Sequence, residues 1–315
     1  MQLQQSLILR FVINKQIIIS LGSQPLWIAE PLTKSKMKKV LLLIIICLIS
    51  KFVYAQFPPA PQILDKKLCV DTAYIELLYS FKFKNLAGQK DFTEDIRKIQ
   101  IGNHIVKDFS QIVFHYDSLA TERTKKGLQT QNIPTQTYPC ELYSDVENHL
   151  RKEKYRLMLN AGVLCYDSQW ITPEWQFIPD DTIRLSNYLC NKAQINYAGR
   201  NYTAWYALDY PISYGPFKFW GLPGLIIKIE EESGLFIWEL YKMNKVHSPI
   251  YKYKYDKEQN CTERSAKRTI DKMMSSPMSF LQSVGTKMMV RRSDGSFGAP
   301  SQNNQQEVYQ PIELK

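Results

Sequence analysis

Residues 199–226, GRNYTAWYALDYPISYGPFKFWGLPGLI, constrain the fold more tightly than any other stretch of the chain. Tyr202, Trp205, Tyr206, Tyr210, Tyr214, Phe217, Phe219 and Trp220 are crowded between Pro211, Gly215, Pro216, Gly221, Pro223 and Gly224. Proline fixes φ and glycine permits positive φ, so this spacing specifies one loop conformation rather than a slack linker. Its flanks read as strands. Tyr188–Tyr197 leads through Ala198-Gly199-Arg200-Asn201 into Tyr202–Leu208, a hairpin connection, and Leu225–Glu230 pairs with Leu235–Met243 across Glu231–Gly234. A rigid aromatic loop between two hairpins either plugs the end of a curved sheet or walls a ligand pocket. In the second case Trp205, Tyr214 and Trp220 grip the ligand, with Arg200 and Asp209 as polar orienters.

The remaining periodicity is also mostly that of strands. Tyr74–Lys84 places Ile75, Leu77, Tyr79, Phe81 and Phe83 on one face and charges on the other, a period of two. Residues 96–106 and 111–116 read as further strands, with a helix over 117–130 and a loop over 131–139. Tyr155–Cys165, Trp175–Ile178, Thr182–Arg184 and Tyr251–Tyr255 complete a meander, with Pro179-Asp180-Asp181 as a turn. Residues 262–274 read as a helix with Thr262 as N-cap, and Ser276-Pro277 starts a second. The expected class is mainly β (α+β): a single strongly curved antiparallel sheet, bowl or half-barrel like, with a few helices including a C-terminal pair.

Met37 opens a segment with the parts of a secretory signal: Lys38 and Lys39, the apolar run Val40–Ile49, and Val53-Tyr54-Ala55 ahead of Gln56. The bulky Ile46 before Cys47 argues against lipidation. Residues 1–36 then precede the working protein, 37–55 is the signal, 56–292 one domain and 293–315 a disordered tail. The chain carries 40 basic and 30 acidic residues, a net +10. Residues 1–55 hold seven of those bases and one acid, which leaves 33 against 29 and a net of +4. That is an ordinary surface, and nucleic acid is not an expected partner. Cys69, Cys140, Cys165, Cys190 and Cys261 remain after the signal, and their spacing fixes no pairing.

Enzyme signatures are missing from the sequence: no GxSxG, HExxH, P-loop or dinucleotide fingerprint. His104, His115, His149 and His247 are scattered without ligand spacing. The acid pairs Asp180/Asp181 and Glu230/Glu231/Glu232 sit in turn contexts, where acids solvate and cap. Met273, Met274, Met278, Met288 and Met289 read as core filler. No catalytic residue, metal or cofactor is expected.

Gly221-Leu222-Pro223-Gly224-Leu225-Ile226 resembles the hexapeptide that names the GLPGLI family of exported Bacteroidetes proteins. The likeness extends to Tyr188, Cys190, Lys192 and Ala193, a Y-x-C-x-K-A core, and to Gly199-Arg200, Ala204-Trp205-Tyr206, Pro211-Ile212, Gly215-Pro216 and Lys218-Phe219. Upstream, Ile101-Gly102 and Ser110 resemble the family's N-terminal strand and turn. It departs where Asp209-Tyr210-Pro211 and Ala207 stand in place of the family's acid before Ile-Pro and its usual Thr. The resemblance implies an exported envelope protein with a mostly antiparallel sheet, and no established activity. A more distant similarity is to the bowl-like, non-catalytic N-terminal domain of some bacterial peptide-N-glycosidases. The expected function is therefore a periplasmic or envelope-associated binding or accessory protein. Its ligand would be a glycan, a peptide or an apolar or lipid molecule, with an envelope protein as a possible partner. The alternatives are an envelope hydrolase using Asp209, and a purely structural scaffold.

Overall fold

The computed structural model describes residues 57–286, 290–291, 297–298 and 308–314. The segment read as a signal, the residues ahead of it, and Met288 and Met289 lie outside these. The strands are Lys67–Phe83 (β1), Thr93–Ile101 (β2), Ile105–Ser110 (β3), Cys140–Asp145 (β4), Leu150–Arg156 (β5), Val163–Ser168 (β6), Gln176–Leu185 (β7), Tyr188–Tyr197 (β8), Arg200–Ala207 (β9), Leu225–Glu231 (β10), Phe236–Tyr253 (β11) and Glu258–Asn260 (β12). All twelve share one sheet, in the order β12-β6-β5-β4-β3-β2-β1-β11-β10-β9-β8-β7. The helices are Gln111–Lys125 (α1), Glu263–Ser275 (α2) and Pro277–Ser283 (α3). A separate pair joins Val290–Arg291 (β13) to Phe297–Gly298 (β14).

The order dictates the shape. From β1 the chain meanders outward to β6, then crosses to the opposite edge and meanders back through β7–β11 to pair with β1. In a flat sheet β6 and β7 would stand ten strand spacings, about 48 Å, apart. The eight residues from Ser168 to Gln176 reach at most about 29 Å. The sheet must therefore curl, and it does so without closing into a barrel. Register shifts along the β1–β11 pair, between Cys69 and Asp71, Ala73 and Ile75, and Leu78 and Tyr79, bend its two longest strands.

One face of the curl is the core. Leu77, Tyr79, Phe81 and Phe83 of β1 share it with Ile99, Ile101, Tyr202, Ala204, Ile229, Phe236 and Trp238. Phe81 stacks on Trp238 at 4.3 Å and on Phe83 at 4.9 Å. Residues 208–224, the inner loop, cover this wall. Phe219 meets Tyr202 at 4.8 Å and Tyr197 at 5.5 Å, and Phe217 stacks on Trp238 at 6.1 Å. Over β4–β6 the same face packs Leu142, Tyr155, Leu164 and Tyr166 against Ala266, Ile270, Met273 and Phe280 of α2 and α3. Met273 and Met274 are core, as their helical spacing implies.

Several elements depart from the sequence reading. Residues 96–106 are two strands, split at Gly102. A Cβ there would sit 2.4 Å from Asp71 Oδ2, and that carboxylate accepts the N–H groups of His104 and Ile105. Residues 111–116 open α1 rather than a strand: Ser110 Oγ caps Val113 N–H at 3.1 Å, and Val113, Asp117, Ala120 and Thr121 bury one helical face. The run 155–165 breaks into β5 and β6 at a turn with positive φ at Leu159 and Gly162. Pro179-Asp180-Asp181 is no turn but a bulge in β7, tolerated because β7 is an edge strand. Of the stretch read as a tail, 308–314 belongs to the core region: Ile312 is buried, Tyr202 Oη donates to its carbonyl, and Tyr309 bridges to Leu86. Apolar Tyr309 and Ile312 outweigh the polar composition around them. Thr262 caps α2 by accepting the Ser265 N–H, and Pro277 opens α3 in its first turn, as expected.

Candidate functional site

The hexapeptide anchors the inner loop. Gly221 has φ +88, a region that costs a side-chain-bearing residue. A Cβ on Gly224 would lie 2.3 Å from the Ala207 carbonyl oxygen, so only glycine lets the loop turn back beside β9. Gly215 is closed in likewise, by Ile226 and the Phe219 carbonyl, which accepts its N–H at 2.9 Å. Leu222, Leu225 and Ile226 fill the core, and Pro216 is buried with them. Pro223 stays exposed. Tyr79 Oη donates to the Ile226 carbonyl at 2.7 Å, beside the bulge that lets β10 resume pairing. Cys190 is buried in the same core.

The five residues expected to converge on a ligand do not meet. Arg200 is buried at the far end of β9. It donates to the Pro311 carbonyl at 2.9 Å, Glu231 at 3.3 Å and Gln310 at 3.5 Å, clamping the C-terminal segment to the sheet. Trp205 alternates with the core residues Ala204 and Tyr206 and so lies on the outer face, under Lys228 at 5.1 Å. Asp209 is exposed in the turn that leaves β9. Tyr214 and Trp220 do come together, bridged by their backbones, and both are partly exposed.

Around Trp220 a cluster forms that loop composition could not reveal. The connector 169–175 lays Trp170 5.3 Å from Trp220, and Trp175 Nε1 donates to the Trp220 carbonyl at 2.8 Å. His149, exposed in the β4–β5 turn with φ 53, stacks on Trp170 at 5.2 Å and 17°. Arg151 packs its guanidinium on the Trp170 ring at 4.7 Å, a cation–π contact. The Nε1–H groups of Trp170 and Trp220 and the hydroxyl of nearby Tyr197 are buried without a hydrogen-bond partner. Leaving such a group unpaired costs about 1–3 kcal/mol. Aromatic faces ringed by idle donors make this rim the candidate site. The signal that sequence reasoning missed was Trp170 and Trp175, which stand outside the aromatic loop.

Two ionic layers hold the rim in place. Inside the curl, Lys218 of the inner loop reaches Glu153 and Glu313, each at 2.7 Å. Burial pushes the Lys218 ammonium down, but the two carboxylates outweigh it and hold it above its usual value. Asp108 accepts Phe217 N–H at 2.7 Å and pairs with Arg97, which also donates to the Tyr138 and Cys140 carbonyls. On the opposite face, Arg156 binds Asp117 at 2.6 Å and Glu141 at 3.1 Å beneath α1. Lys107 lies 3.9 Å from Glu141 within reach of the rings of Phe109, Tyr143 and Tyr253. Burial lowers the Lys107 ammonium to about 8, with Glu141 offsetting only part. Two carboxylates converge here, yet Arg156 holds both, and the adjoining cavity of about 10 Å³ has room for one water.

A family model described as a protein of unknown function (Porph_ging) matches residues 196–228, from the end of β8 through the inner loop into β10. No curated protein matches. Among solved structures, PNGF-II in the P21 space group is similar at 14% identity and a TM-score of 0.39, covering 63% of this chain and 33% of that one. PNGF-II in the C2 space group gives 15%, 0.38, 63% and 32%. The chain thus spans about a third of the length of those structures.

Proposed function

We propose that the chain is an exported, non-catalytic binding or accessory protein of GLPGLI type whose ligand seats on the rim at Trp170 and Trp220. The observation that carries this reading is the pair of partly exposed indoles whose buried N–H groups have no partner. A folded chain tolerates such losses where a ligand supplies the missing acceptors. The signal-like residues 37–55 support export. The match over 196–228 contains the hexapeptide, which supports the family reading. In this reading the inner loop serves two purposes: Phe217 and Phe219 plug the curl, while Tyr214 and Trp220 face the ligand.

The test is untargeted mass spectrometry of small molecules retained by the protein purified natively from its envelope fraction. Wild type and Trp205→Ala should carry the same ligand, whereas Trp170→Ala and Trp220→Ala should lose it and still melt cooperatively. Loss from Trp205→Ala alone would move the site to the outer face. Chemical turnover of the retained molecule would transfer the reading to the hydrolase class.

A further inference from the structure

We infer that the rim takes an acidic saccharide, its carboxylate bound by Arg151 and the indole N–H groups, its ring lying on the aromatic faces. This rests on the reading of the rim as a ligand site. The argument begins with the buried cations. Among the described residues, Arg97, Lys107, Lys154, Arg156, Arg200 and Lys218 are buried and each has a carboxylate partner. Arg151, 3% exposed, has none. Its Nε donates to Ser144 Oγ at 3.2 Å and its Nη1 to the Gln169 carbonyl at 3.5 Å, both neutral acceptors. Nη2 makes no hydrogen bond among the described residues. Buried charges are ordinarily paired, and a guanidinium with a free edge suits a planar, two-oxygen anion.

The surroundings agree in sign. Indole and guanidinium are donors only; Glu153 is already bound by Lys218 at 2.7 Å and by the Tyr166 hydroxyl at 3.0 Å, and Glu263 accepts the Gln169 N–H at 3.3 Å. A ligand here meets donors, so it must bring acceptors. The two indoles tilt at 49° with the imidazole of His149 beyond them, flat apolar faces edged by N–H groups. A pyranose has the matching form, with C–H faces and an oxygen-bearing rim.

Calorimetry on the full chain tests this with four probes: trigalacturonate, its neutral methyl ester, sialyllactose and lactose. Tetraglutamate and citrate report on charge without a sugar ring. Each acidic saccharide should bind at least tenfold tighter than its neutral counterpart. Trp170→Phe and Trp220→Phe, which keep a ring but lose the N–H, should weaken it three- to tenfold without moving the melt. Arg151→Lys should abolish most of the acid preference, and Arg151→Gln serves if the lysine variant folds poorly. Equal binding of acidic and neutral sugars overturns the inference and leaves the rim site standing. Equal binding of tetraglutamate or citrate overturns the saccharide claim. Failure of every probe to bind overturns the inference alone; the rim reading falls only if Trp170→Ala and Trp220→Ala keep the co-purifying ligand.

Discussion

At the residue scale, buried ion pairs give this protein its sharpest vulnerabilities. Lys218 belongs to the aromatic loop, and nothing in its neighbours PFKFW announces a buried ammonium. Its partners, Glu153 and Glu313, are 65 and 95 residues away in sequence, so no local pattern could expose the contact. Lys218→Met leaves Glu153 charged and buried, and should cost about 3–5 kcal/mol by denaturant unfolding. Adding Glu153→Gln should recover much of that loss; strictly additive costs would contradict the pairing. Glu141 makes a pH prediction. Burial raises its carboxyl, but Lys107 and Arg156, with the Tyr255 and Tyr143 hydroxyls, draw it down to about 2. A folded value below the unfolded 4.5 means stability present above pH 4.5 and lost as pH falls toward 2, in total about 3 kcal/mol at ~1.4 per pH unit. The stability gap between wild type and Glu141→Gln should therefore shrink steadily from pH 5 downward. A gap independent of pH would contradict it.

At the scale of elements, the strands with clean alternation and the helix capped by Thr262 were legible, and the interruptions were not. β8 runs from Tyr188 to Tyr197 as its pattern dictates, and Thr262 caps α2. The split at Gly102 was hidden because its cause, the Asp71 carboxylate, comes from another strand. Residues 111–116 look strand-like by apolar content, and only the Ser110 cap with the buried face of α1 makes them helical. The rigid inner loop was legible from proline and glycine alone. The two glycines Gly221 and Gly224 differ in kind, and substitution should separate them. Gly221→Ala pays only for positive φ, about 1–2 kcal/mol. Gly224→Ala drives a methyl into the Ala207 carbonyl and should cost more, shifting the melt further and disturbing the β9–β10 pairing at Leu225. Equal melts for the two variants would sink this distinction.

At the scale of the whole molecule, the mainly β class and the curved antiparallel sheet follow from sequence, whereas the curl's cause lies in the strand order. A seven-residue connector joins β6, next to one edge of a twelve-stranded sheet, to β7 at the other edge, and the same connector delivers Trp170 and Trp175 to the inner loop. Curvature and candidate site thus have one origin. Of the five expected ligand residues, Tyr214 and Trp220 lie at the rim, Arg200 holds the C-terminal segment, Asp209 stands exposed in the turn after β9, and strand parity sends Trp205 outward. The rim reading is tested most directly on the indole protons themselves. In protein labelled with ¹⁵N-tryptophan, and with signals assigned by Trp→Phe substitution, the Nε1–H resonances of Trp170 and Trp220 should move downfield on adding the retained ligand. Those of Trp205 and Trp238 should stay in place. Movement at Trp205 with Trp170 and Trp220 unchanged would contradict the account.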